Sequence, residues 1–214
     1  MKSKLVAVAI GIASFAPLSI SASPTVIDFE DLAGMTFYVG NPVPQASQLS
    51  DHYLNTLGVR FSSGNPYVAV VAMGLGHATS GVNGLAGTDG NGLNTGVNPI
   101  DASFFDPSAP TIRAVTDHVS LRGDLWGGGP PISLIAYDLE GNVIASDTEQ
   151  DVGGATLIVS AQGIHSVRYI NNGSVGIDDF TFNAPVAVPE PATFALVGLA
   201  LAGIGFSRRQ THPI

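Results

Sequence analysis

The chain has 214 residues, enough for one domain plus accessory segments. Its formal net charge is -9, from 8 Lys+Arg against 17 Asp+Glu. Between Ser23 and Pro189 the basic residues are Arg60, Arg113, Arg122 and Arg168, so a nucleic acid backbone would be repelled and no nucleic-acid partner is expected. No cysteine is present, which excludes disulfides, iron–sulfur clusters, thiolate zinc sites and Cys nucleophiles.

The N-terminus opens with Lys2 and Lys4, continues with the apolar run Leu5–Ala16, and reaches small residues at Ser19–Ser23. That order predicts a secretory signal peptide over residues 1–22, cut between Ser21 and Ser23. Residues 24–184 are then expected to fold. Thr25–Glu30 alternates Ile27 and Phe29 against Asp28 and Glu30, as a strand does. Leu49–Thr56 can form a short helical turn. Gly58–Phe61 and Tyr67–Ala72 follow as strands. Gly74–Asn98 is rich in Gly and Asn and is read as a long surface loop.

Further strands are expected at Ala114–Arg122 and Ile132–Asp138. The single tryptophan, Trp126, sits among glycines and prolines between them. Asp138–Asn142 carries hairpin-turn chemistry, and Val143–Ser146 returns from it. Leu157–Ser160, Ile164–Ile170 and Ile177–Phe182 complete the pattern. About ten short strands in roughly 160 residues predict an all-β fold, an antiparallel β-sandwich of jelly-roll type. The last strand has a parity conflict. Phe180, Phe182 and Asp178 share one face while Ile177 falls opposite, so the strand either bulges near Asp178-Asp179 or turns a carboxylate inward.

The C-terminus reads Val188-Pro189-Glu190-Pro191, then an uncharged run from Ala192 to Phe206, then Arg208-Arg209. As a helix the 15 uncharged residues would cover about 22 Å, short of a full bilayer core of about 30 Å. The Arg pair would stop the segment at the cytoplasmic face and leave the domain outside. This order of Pro-Glu-Pro, apolar helix and basic pair resembles the PEP-CTERM sorting signal of Gram-negative bacteria. The resemblance implies processing by exosortase, transient residence in the inner membrane, and export to the cell surface or exopolysaccharide matrix. It divides the chain into a signal peptide (1–22), a sandwich ectodomain (24–184), a linker with the motif (185–191), a transmembrane segment (192–207) and a basic cytoplasmic tail (208–214). The stretches Phe104–Pro107, Val119–Asp124, Ala136–Ala145 and Ile177–Phe182 are similar to the galactose-binding-like and MAM-type jelly rolls that such proteins often carry.

Three chemistries remain to be weighed. Glu30 opens the domain and Asp178-Asp179 closes it; if the end strands lie side by side, these acids could hold a structural Ca²⁺. The alternative is a solvated acidic edge. Asp89-Gly90-Asn91-Gly92 departs from a calcium loop at Leu93 and Ile100 and is read as a turn. Trp126, with the Gly74–Asn98 loop, is the candidate face for a polysaccharide, against a role covering the sandwich end. No nucleophile elbow, metalloprotease motif or phosphate loop occurs. A secreted hydrolase would need an unseen carboxylate pair. The expected function is therefore an exported, non-catalytic surface or matrix protein, with a carbohydrate-binding module and a secreted hydrolase as the alternatives.

Overall fold

The computed structural model describes residues 23–36, 38–65, 67–74, 77–123, 131–150, 154–171 and 176–188. Within them lie thirteen strands in chain order: β1 (Thr25–Ile27), β2 (Met35–Thr36), β3 (Val59–Ser62), β4 (Ala69–Ala72), β5 (Asn83–Ala86), β6 (Ile100–Asp106), β7 (Ala109–Gly123), β8 (Ile132–Tyr137), β9 (Val143–Glu149), β10 (Ala155–Ile164), β11 (Ser166–Ile170), β12 (Ile177–Phe182) and β13 (Val186–Ala187). One turn of helix, α1 (Leu54–Leu57), ends at Gly58, whose positive φ of 71° closes it. No helix among the described residues is long and apolar enough to cross a membrane.

The strands form the two faces of an all-β sandwich. One runs β2-β4-β5-β12-β7-β10, with β1 paired to the same edge of β12 as β5. The other runs β3-β6-β11-β8-β9. All pairings are antiparallel except β2 with β4. β7 joins the two: its first residues pair with β6, where Phe105 faces Arg113, and its later ones lie between β12 and β10. Alternating apolar residues explain this layering. In β8, Ile132, Leu134 and Ala136 are buried while the residues between are half-buried.

The core is aromatic at its centre. Phe61 packs edge-on against Phe29 and Phe180, with ring centroids 5.8 and 4.9 Å apart, and Phe180 continues to Phe182 at 5.7 Å. Such pairs add roughly 0.5–1.5 kcal/mol beyond area burial.

The structure departs from the sequence expectation in four places. The Gly74–Asn98 loop contains β5, whose four residues are all buried. Asn-Gly-Leu-Ala has little intrinsic strand preference, and tertiary contact decides its state. β6 is a full seven-residue strand. The predicted strand at Ile164–Ile170 is divided: Ile164 ends β10 and Ser166 begins β11. Residues 186–187 of the predicted linker are a strand paired to β7. The parity conflict in β12 resolves as both alternatives at once: the pairing with β7 shifts register between Asp178 and Thr181, Asp179 takes φ 49°, and Asp178 and Ile177 are both buried.

Replacing Phe180 with Ala should cost about 3–5 kcal/mol, the usual range for a buried aromatic. Urea denaturation would measure it; a loss below about 1 kcal/mol would contradict this packing.

Candidate functional site

Two places gather the polar groups that the sequence singled out. The first is the corner where β1 ends and β5 begins, both lying along β12. Here the backbone is strained: Phe29 has φ 58° and Asp179 has φ 49°. Positive φ is tolerable for Asp but unusual for a bulky residue. Past Phe29 the chain swings out and places Glu30 against the segment Ser80–Asn83.

Glu30 Oε1 accepts hydrogen bonds from the backbone N–H of Val82 (2.7 Å) and Asn83 (2.6 Å), and Oε2 accepts from Asn83 Nδ2 (3.3 Å). Asn83 Nδ2 also faces the carbonyls of Phe29 (3.3 Å) and Leu32 (3.2 Å). Asp178 is fully buried. Its Oδ2 accepts from the N–H of Thr79 and Ser80, each at 2.8 Å, and the Ser80 hydroxyl reaches both oxygens at 3.0 Å. The Asp179 N–H donates to Asp178 Oδ1 at 2.7 Å. Burial pushes the Asp178 carboxyl above its ordinary value, while the donors from Ser80 and Asp179 pull it back. Gly81 has φ 51°, and a Cβ there would fall on the Glu30 carboxyl.

Thus Glu30 and Asp178 do meet, but across one loop, which they hold by its N–H groups. Charge-assisted bonds of this kind are stronger than neutral ones. Each of the two carboxylates already accepts hydrogen bonds from this loop, and among the described residues no group of three His, Cys, Asp or Glu gathers to hold a metal. Asp89 closes its own turn, accepting from the N–H of Asn91 (2.8 Å) and Leu93 (2.9 Å).

Nearby, His52 Nε2 lies 2.9 Å from Asp31, and the Tyr53 hydroxyl donates to the same carboxylate. Partial burial pushes Asp31 up, but the bonds from Tyr53 and His52 outweigh it and hold the group below its usual value.

The second place is the start of the tail. β13 runs along β7, with Val186 opposite Val115 and Ala187 opposite Ala114, and the Val188 N–H donates to the Arg113 carbonyl at 3.1 Å. The Arg113 side chain is fixed elsewhere: its Nε–H donates to His165 Nε2 at 3.1 Å and its Nη2 to the Leu139 carbonyl. An arginine only donates, so His165 Nε2 must accept, and Nδ1–H donates to the Ala114 carbonyl at 2.9 Å. Burial, with the Arg113 charge, lowers the His165 pKa and keeps the ring neutral. Of the remaining sorting residues, Pro189, Glu190, Pro191, Arg208 and Arg209 lie outside the described residues, and so does Trp126.

Comparison with known proteins bears first on this second place. Residues 187–209 match the family model described as the PEP-CTERM protein-sorting motif. The chain therefore carries a sorting signal. Such a motif implies export, processing by exosortase, and a membrane-anchored precursor sorted to the cell surface. No curated protein matches the chain. Among solved structures, one similar to this chain is TmCBM61 in complex with β-1,4-galactotriose, at 14% identity and a TM-score of 0.33, covering 70% of this chain and 99% of that one.

The partners of Glu30 and Asp178 were invisible in sequence. Thr79 and Ser80 lie 99 and 98 residues from Asp178, and no local pattern marks them. Arg113 and His165 likewise gave no signal beyond their rarity.

Two outcomes follow. Asp178→Ala removes the acceptor of the part-buried Thr79 and Ser80 N–H groups and should cost about 1–3 kcal/mol. Hydrogen exchange at those two amides should rise sharply; unchanged protection would contradict the clamp. His165 has a folded pKa below its ordinary 6.5, so the unfolded chain takes up the proton first as pH falls. Its contribution is complete above pH 6.5 and is lost as pH drops below that value. His165→Gln should flatten the fall in melting temperature between pH 7 and 5; an unaltered slope would contradict this.

Proposed function

We propose that the chain is an exported, non-catalytic cell-surface or exopolysaccharide-matrix protein whose sandwich, about residues 24–184, is the cargo of its sorting tail. The observation that carries this reading is the junction at Val188, where the last backbone hydrogen bond among the described residues adjoins the first proline of the sorting motif. Four of the described side chains that could do proton chemistry have structural partners. Asp178 and Glu30 hold a loop, His165 sits under Arg113, and His118 Nδ1 lies 2.9 Å from the Ser160 hydroxyl. A hydrolase would instead need two carboxyl groups about 5–10 Å apart across a cleft.

The second reading is a carbohydrate-binding module. It draws on the loops around β5, where the turn holding Tyr38 and Val39 is tied to the 92–94 segment by Gly40 N–H donating to the Asn94 carbonyl. Tyr38 is 62% exposed, and Asn41, Asn91 and Asn98 lie in the same loops. Exposed aromatic faces beside amides suit sugar rings. Extracellular polysaccharide would then be the partner. Calorimetric titration of a broad glycan panel against the wild-type protein and Tyr38→Ala tests this: binding that Tyr38→Ala abolishes supports it, and no heat across the panel removes it.

A Ca²⁺ ion at Glu30, Asp178 and Asp179 is a separate proposal. It requires the segment 79–83 to turn its N–H groups aside. A rise in melting temperature when calcium is added to EDTA-stripped protein would support it, and no shift would remove it.

Mass spectrometry of the mature protein tests the main reading. We expect an N-terminus near Ser23 and a C-terminus near Pro189. A mature chain that keeps Phe206 would be an integral membrane protein instead.

A further inference from the structure

Nothing separates the fold from the sorting motif. Val188 donates to the Arg113 carbonyl, and Pro189 is the next residue. Beneath Val188 the chain is zipped onto β7 through Val186 and Ala187. The strand it lies on is anchored from the other side. Arg113 is bound to His165 and Leu139, and His165 binds the Ala114 carbonyl, so β7 cannot follow the tail outward. The β6–β7 hairpin, which turns between Asp106 and Ala109, stands alongside.

A peptidase binds its substrate as an extended segment whose backbone groups pair with the enzyme. Residues 186–188 already pair with β7, so their backbone groups are engaged before an enzyme arrives. We infer that β13 is a latch: it must peel from β7 before the sorting motif can be cut, and the strength of that pairing sets the processing rate. The inference rests on the reading that the tail is cleaved. The latch is built to open alone. β13 has two residues, Val186 is 67% exposed, and the core aromatics lie elsewhere in the sandwich. Short, exposed strand ends open locally without global unfolding.

The absence of native cysteine makes a clean test possible. Ala187 and Ala114 are direct partners across an antiparallel pair, within the reach of a disulfide. The full precursor carrying Ala114→Cys and Ala187→Cys would be expressed in the producing cell, and its conversion to the mature mass followed. We expect the oxidised form to convert at least tenfold more slowly and reductant to restore the rate. A six-residue Gly/Ser insertion between Val188 and Pro189 should restore conversion in the oxidised chain, which separates reach from misfolding. An oxidised chain cut at the wild-type rate, or one that the insertion fails to rescue, overturns the latch alone. A wild-type chain that keeps its tail overturns both the latch and the cleavage reading.

Discussion

The fold hangs on β7. Its 15 residues pair in turn with β6, β13, β12 and β10, so one strand carries the hairpin between the sheets, the central ladder of one sheet and the tail. A chain without cysteine has no covalent tie to replace this. The apolar residues of β7 follow the demand. Ala114, Val119 and Leu121 are buried, as is the hydroxyl-bearing Thr116, and the other residues from 115 to 120 are half-buried or exposed. Because antiparallel pairing fixes register, placing β7 also fixes β12, and with it the buried carboxylate of Asp178.

The same strand separates two poles. The tail leaves beside Ala114, near the β6–β7 hairpin and the Leu139 turn. Gly123, at the other end, lies opposite Ile177 and Ala155, close to where the loops after β5 and β11 emerge. Nine residues of strand make this about 30 Å. A protein tethered through its C-terminus would thus hold its loops away from the membrane. The corner held by Glu30 and Asp178 lies between the poles. There β1 and β5 share one edge of β12, and the loop leading into β5 is bound by two acids that come from elements at opposite ends of the chain.

Much of this was legible in sequence, and the exceptions have physical causes. Strands with one buried face showed themselves by alternation, as Ile132–Tyr137 and Ile177–Phe182 did. The misfit of Asp178 in that alternation pointed to either a bulge or a buried acid, and the structure has both. β5 was hidden because Asn-Gly-Leu-Ala is buried throughout and has no alternation to read. β13 was hidden because three small apolar residues between Pro185 and Pro189 look like linker, and only the distant β7 makes two of them a strand. Glu30 and Asp178 stood out as acids, but the identity of their partners depends on contacts across 52 to 99 residues, which a single sequence does not display. The sorting tail was the clearest feature of all, since its function is written in a local order of residue types and requires no tertiary contact.

The tail beyond Val188 is expected to direct the sandwich rather than to help it fold. Ending the chain at Val188 keeps every described strand, including β13. The account predicts that this truncated protein is exported and folded, with the melting temperature of the full ectodomain, yet fails to reach the cell surface or matrix when fractions are compared. Surface delivery undiminished by the truncation would contradict it.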